Sequence, residues 1–236
     1  MMTTEQKNEV RQYLLTKKLP IDLLIEVEDH FMAQVIDQQA SKNLPFEDAF
    51  NATIISWHDD LKLKWDGNWS LEDTSLLVKK TSKQKSYSIL KKAITIAVIS
   101  QTIMILLYFL IPFEIFRIIY GVASGVLMLF PLAVFLKEKK YFDLPKKYKN
   151  ITLSVYQNLV AVLFILPMSS SWWVFRFVFE MNDGFLNFDS FKGIIINFLM
   201  LFYFFFQTSI IIAQQKYLEM IKKIKPYLEE NFKISN

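Results

Sequence analysis

The spacing of hydrophobic positions along this chain changes near residue 90. Before that point, apolar residues recur at three- and four-residue steps among charged ones, which is the period of an amphipathic helix. After it, long apolar windows alternate with short basic segments. Because a helix needs roughly 20 apolar residues to cross a bilayer, the second part predicts membrane spans. The pattern predicts an all-α protein that is partly in water and partly in lipid.

Four windows are long enough to span a membrane. They are residues 93–113, 114–136, 151–175 and 193–215, and only the second contains charged residues. Apart from Glu114 and Arg117 in the first turn of the second window, the polar side chains within the windows are amides and hydroxyls, which predicts hydrogen bonds between helices rather than ion or proton binding. Gly121 and Gly125 form a G-x-x-x-G pair that permits close helix approach, either within the bundle or between copies. We predict an integral membrane four-helix bundle.

The placement of lysines predicts the orientation of this bundle. The segment 137–150 contains six lysines, whereas 169–192 contains Arg176 and Lys192 as its basic residues. The positive-inside rule then places both termini in the cytosol. Trp172, Trp173 and Arg176 are expected to anchor the third span at the outer interface. Residues 1–20 lack an apolar core of signal-peptide length, so the N-terminus is expected to be retained.

The part before the spans is predicted to be a small cytosolic three-helix domain, residues 1–66. Its helices are expected at 4–17, at 21–41 and from Pro45 onward, and their limited core predicts docking onto the bundle, the C-terminal tail or a second copy. Residues 67–92 are predicted to be a basic linker, or a loosely held surface helix over residues 74–88. Residues 216–236 are expected to continue the last span as a cytosolic amphipathic helix until Pro226 bends it. That helix lies either on anionic lipid or on the N-terminal domain.

A cluster of ionisable residues on the second predicted helix is the candidate functional surface. On a helical wheel Glu26, Asp29, His30 and Asp37 share one side with Asp22, opposite the apolar side. The alternative is a metal site that His58 completes, but the chain has no H-E-x-x-H pair. We therefore interpret the cluster as a solvated face that meets a partner, and we predict neither a metal nor a cofactor.

Glu28 differs from its neighbours because its wheel position lies among Leu24, Phe31 and Val35. A carboxylate that faces a core is costly unless it is paired or hydrogen-bonded. We predict that Glu28 is a buried structural acid whose partner is a helix N-terminus, Arg11 or the indole of Trp57.

Composition narrows the function classes. The chain is 53% hydrophobic and 16% aromatic, with a mean hydropathy of +0.24, which is typical of membrane proteins. It has no cysteine, which excludes disulfides and thiolate chemistry. Neither a glycine-rich phosphate loop nor a G-x-S-x-G elbow occurs, so no catalytic residue is predicted. Because membrane topology explains the basic segment 137–150, nucleic-acid binding is not predicted.

Two short strings carry a family resemblance. L24-I-E-V-E-D-H-F31, followed by L44-P-F-E-D-A-F50, resembles the HAAS-type helical signalling domain and the related prefix domain of bacterial ABC-transporter permeases. The likeness covers roughly residues 5–65. It implies a non-enzymatic regulatory or docking module fused to membrane helices in the bacterial cytoplasmic membrane, often with a PadR-like regulator as neighbour. The expected partners are the lipid bilayer and either another protein or a second copy. The alternative function is a transport component, as a small-solute carrier or an accessory subunit of a permease.

Overall fold

The computed structural model describes residues 2–64, 73–148, 151–161 and 191–232. These residues are helical apart from short connections and one antiparallel pair of strands, β1 (Leu63–Lys64) and β2 (Thr74–Ser75), in which Leu63 lies opposite Ser75. The helices are α1 (Thr4–Leu15), α2 (Ile21–Lys42), α3 (Phe46–Leu61), α4 (Leu76–Leu110), α5 (Phe113–Lys137), α6 (Lys139–Phe142), α7 (Leu144–Lys147) and α8 (Phe191–Asn231).

The chain divides into two compact units. Unit 1 comprises Met1–Gln84, Leu144–Gln157 and Met220–Asn236, and unit 2 comprises Lys85–Asp143 and Asn158–Glu219. Unit 1 is therefore assembled from three separate stretches of sequence. The predicted N-terminal domain of residues 1–66 is one part of it.

Local sequence sets the ends of the first helices. Thr3 begins α1 with a capping box, in which its hydroxyl accepts from the Gln6 amide and the Gln6 side chain accepts from the Thr3 amide. Asn43 ends α2 in the left-handed region at φ 51°, which asparagine tolerates better than most residues. Pro45 precedes α3 with an extended backbone. These signals explain why the helix limits lie within two residues of the predicted ones.

The core of the first three helices is built around Phe31. Its ring centroid lies 5.8 Å from that of Tyr13, 5.9 Å from that of Phe50 and 6.1 Å from that of Trp57. The Trp57 indole donates a hydrogen bond to the side-chain oxygen of Gln34 at 2.8 Å. Tyr13 and Phe50 also contact each other, with ring centroids 5.8 Å apart, so the aromatic residues bring α1, α2 and α3 together at one cluster. Trp57 is engaged by an amide rather than by Glu28.

Unit 2 is held together by an apolar seam with hydrogen bonds between helices. The buried residues of the seam are Ala97, Phe116, Tyr120, Ile196, Met200, Tyr203 and Phe204. The Gln101 amide donates to Asn197 at 3.2 Å, and the Tyr203 hydroxyl donates to the carbonyl of Ser124 at 2.7 Å. Gly121 and Gly125 are half-buried on α5, on either side of the buried Ser124. The uncharged polar residues thus join helices where lipid offers no competing partner.

Among the residues that the structure describes, three helices are long and apolar enough to cross a membrane: α4, α5 and α8 from Gly193 onward. The chain is thus predominantly helical and has the composition of a multi-pass membrane protein. Most of the third predicted window, residues 162–175, lies outside the described residues, and so do Trp172, Trp173 and Arg176. The predicted start of that window at Ile151 is wrong, because residues 151–155 are not helical and the helix there begins at residue 156.

The segment that we predict as a linker or a surface helix is helical from Leu76 onward. α4 starts there and runs through the basic segment without interruption, since residues 76–110 contain neither glycine nor proline. The Ser75 hydroxyl accepts from the Val78 amide at 3.3 Å and caps the first turn. Pro226 lies inside α8, and the helix continues past it to Asn231 and buries Leu228.

We expect Ala97→Leu to destabilise unit 2. Ala97 is fully buried in the seam one turn from Ala93, which is also fully buried, so extra methylenes meet packed atoms and cost about 1–3 kcal/mol. Thermal unfolding of the purified full chain in detergent, followed by circular dichroism, measures the loss. Val98→Leu is the matched control, because Val98 is 47% exposed. An equal melting temperature for the two variants would contradict the assigned seam.

Candidate functional site

Glu28 lies at the centre of unit 1. Its side chain is buried, with 3% of the residue exposed, and its carboxylate receives hydrogen bonds from two other helices. Arg11 of α1 donates through Nε at 2.9 Å and through Nη2 at 2.8 Å, both to Oε1. The hydroxyl of Tyr227 on α8 donates to Oε2 at 3.0 Å. Both carboxylate oxygens are thus satisfied by groups from sequence-distant segments.

Arg11 extends this network to the end of α8. Its Nη1 donates to the side-chain oxygen of Asn231 at 2.6 Å, and its guanidinium carbon lies 5.5 Å from the centroid of the Tyr227 ring. The hydrogen bond that Arg11 donates to Glu28 raises the pKa of Arg11. Partial burial lowers that pKa, and the negative charge of Glu28 raises it further. A single buried ion pair therefore joins α1, α2 and the last turns of α8.

Asp22, at the start of α2, forms a second buried contact. Its Oδ2 accepts from the Ser154 hydroxyl at 3.0 Å, and the Val155 amide lies 3.4 Å from each carboxylate oxygen. The Ile21 amide donates to the carbonyl of Thr152 at 2.9 Å. Our placement of Asp22 on the solvated face is wrong, since only 7% of it is exposed. The wheel assigns it correctly to the side opposite Phe31, but the segment 151–155 covers that side there.

A groove lies between α2 and the end of α8, within unit 1. Its volume is about 710 Å³. Ile25, Met32 and Ile224 contribute apolar walls, while the exposed charges around it are those of Glu26, Asp29, Glu230 and Lys223. Three carboxylates against one ammonium give the groove an acidic rim.

The predicted interaction surface divides between this groove and open solvent. Glu26 and Asp29 line the groove, whereas His30 and Asp37 are exposed on α2 outside it. His58 on α3 is exposed and contacts its neighbour Asp59 at 3.3 Å. Across the part of the chain that the structure describes, no group of three or more His, Asp or Glu side chains is arranged to hold a metal ion.

α8 contributes the second wall of the groove, which the sequence predicted as one of two alternatives for the C-terminal helix. Met220, Ile224 and Tyr227 line the groove from that side, and the heptad-like spacing of Tyr217, Ile221, Ile224 and Leu228 was the signal that α8 has an apolar face. The sequence left open whether that face meets lipid or protein. In unit 1 these residues pack on protein: Ile221 and Leu228 are fully buried, and Ile224 is 2% exposed.

No protein-family model matches this chain, and no curated protein or solved structure matches it. The resemblance of the strings at 24–31 and 44–50 to the HAAS-type domain therefore stays a prediction.

We expect Glu28→Gln to lower the stability of the full chain by about 2–3 kcal/mol, because it leaves the Arg11 guanidinium without its counter-charge in a partly buried position. Thermal or denaturant unfolding in detergent measures the loss. His30→Gln, two residues away and exposed, is the control and is expected to be within about 0.5 kcal/mol of the natural protein. Equal losses for the two variants would show that the ion pair contributes nothing.

We expect Asp22→Asn to loosen the segment that follows α7. Replacing one carboxylate oxygen by an amide removes an acceptor for Ser154 or Val155, at a cost on the order of 1 kcal/mol, which corresponds to about fivefold more frequent local opening. Limited trypsin digestion, scored at Lys146 and Lys147, measures that opening. Asp37→Asn is the control on the exposed side of the same helix. Indistinguishable cleavage rates would contradict a clamping role for Asp22.

Proposed function

We propose that this chain is a non-enzymatic protein of a bacterial cytoplasmic membrane, in which the acidic groove of unit 1 docks a basic, amphipathic segment of a signalling partner. Both termini lie in the cytosol. Three features support the proposal. Helices in the described residues are long and apolar enough to cross a membrane, the groove has apolar walls and an acidic rim, and residues 24–50 resemble a helical signalling module.

The groove is the observation that carries the proposal. An amphipathic helix binds by placing apolar anchors in a groove while charges on its edges set register and specificity. Ile25, Met32 and Ile224 supply the apolar walls for such anchors, and Glu26 and Asp29 lie one turn apart on one wall of the groove. Lysine or arginine side chains flanking an apolar stripe match this arrangement.

The helix that forms one wall of the groove, α8, also extends into the membrane region. Ile224 and Tyr227 form one wall, and the same uninterrupted helix begins at Phe191 and contains the fourth apolar window. A partner that moves Tyr227 also changes its hydrogen bond to Glu28. Docking at the groove therefore acts on α8, which both contacts the buried ion pair and continues into a membrane helix.

A photoreactive amino acid at Met32 tests the docking in living cells. Met32 lines the groove, so the expected result is a cross-link to another protein through a segment that carries several lysines or arginines. Asp29→Lys is expected to reduce that adduct about tenfold or more, because it reverses a charge on the groove wall. Mass spectrometry identifies the cross-linked peptide and quantifies it.

Asp37→Lys is the matched control for this experiment. Asp37 is exposed on the same helix and undergoes the same change of charge, but it does not line the groove. Its adduct is expected to equal that of the natural chain. An adduct that both variants reduce equally, or an adduct formed only with acidic or uncharged segments, would contradict the proposal.

Reporter fusions test the proposed orientation. Green fluorescent protein fused after Asn236 is expected to fluoresce, because the C-terminus lies in the cytosol, where the reporter folds. Alkaline phosphatase fused after Pro112, between α4 and α5, is expected to be active, because that connection lies outside. Active phosphatase at Asn236 would overturn the orientation.

A further inference from the structure

A second groove lies within unit 2, between α4 and α8. Its volume is about 570 Å³, and its walls are almost entirely hydrocarbon. Leu90 and Ile94 line it from α4, and Phe198, Leu201, Phe202 and Phe205 line it from α8. Ile94, Phe198 and Phe202 are 42%, 58% and 42% exposed, so the groove is open on the side these residues form.

The polar groups of this groove are Lys91 and Tyr87. They are four residues apart on α4 and therefore lie on the same face of that helix. Lys91 is the charged residue among those that line the groove. It stands two residues before the first apolar window, where a membrane helix passes from headgroups into hydrocarbon.

We infer that this groove binds one acidic phospholipid. The ammonium of Lys91 and the hydroxyl of Tyr87 donate to the headgroup phosphate, and an acyl chain lies along Ile94, Phe198 and Phe202. One cation at the polar end of an apolar groove matches a molecule that has an anionic head and a hydrocarbon tail. Basic positions between membrane helices on the cytosolic side bind anionic headgroups by this chemistry. The site is separate from the acidic groove of unit 1, which repels such a headgroup.

Native mass spectrometry of the delipidated full chain in neutral detergent tests this inference. With phosphatidylglycerol added, the natural chain is expected to bind one lipid tightly, and Lys91→Ala is expected to weaken that binding about fivefold, the effect of one lysine at a lipid headgroup. Lys91→Arg is expected to restore it. Phosphatidylcholine, whose choline ammonium offsets the charge of its phosphate, is expected to bind about fivefold more weakly and to lose less affinity on Lys91→Ala.

Lys92→Ala is the matched control, since Lys92 is the next residue, is equally exposed and does not line the groove. It is expected to bind phosphatidylglycerol as the natural chain does. Equal weakening by Lys91→Ala and Lys92→Ala would overturn the inference, because it would show attraction to the general basic charge of α4. A dimer that forms without lipid and excludes added phosphatidylglycerol would overturn it as well, because a second copy would then occupy the groove.

Discussion

Unit 1 depends on the burial of one carboxylate. Glu28 belongs to the apolar side of α2, where an unpaired charge would cost several kcal/mol, and it is tolerated because α1 brings a guanidinium and α8 brings a phenol hydroxyl. Each donor fixes the position of its own helix relative to α2. The Phe31 cluster adds apolar contacts, but aromatic packing admits many arrangements, whereas a carboxylate with these donors admits few. The ion pair therefore specifies the arrangement more than it stabilises it.

A comparable division of roles occurs in unit 2. The apolar seam from Ala97 to Phe204 supplies close packing, and lipid competes with it for every apolar contact. The bonds from Gln101 to Asn197 and from Tyr203 to the Ser124 carbonyl have no such competitor, and they select one register of the helices. In both units a few polar contacts thus define which surfaces remain open. Those surfaces are the acidic groove in unit 1 and the apolar groove in unit 2 that Lys91 lines.

Sequence periodicity predicted the local structure and the sidedness of individual helices. It assigned Glu28 to the apolar side of α2, and Glu26 and Asp29 to the solvated side, because a helix repeats every 3.6 residues. That assignment required no knowledge of the tertiary structure. It assigned Asp22 to solvent because the group that covers Asp22, Ser154, is 132 residues away in the sequence. It placed a linker at residues 67–92 because lysine and serine are common in both linkers and exposed helices, and only the absence of glycine and proline from 76–110 distinguished the two. It left the wall that α8 contributes to the acidic groove undecided between lipid and the N-terminal domain, since α8 reaches α2 from the opposite end of the chain.

The bond between Arg11 and Asn231 joins residues that are 220 positions apart. At a synthesis rate of about 5–20 residues per second, a ribosome completes α8 on the order of 10–40 s after Arg11 has been made. During that interval α1 and α2 are already complete, while Glu28 lacks the hydroxyl of Tyr227 and the covering side chains of α8. The N-terminal helices therefore spend their first seconds with an acidic, partly apolar surface exposed, and only a chain whose last membrane helix has been made can close it. Unit 1 thus completes its fold only once synthesis has reached the final helix.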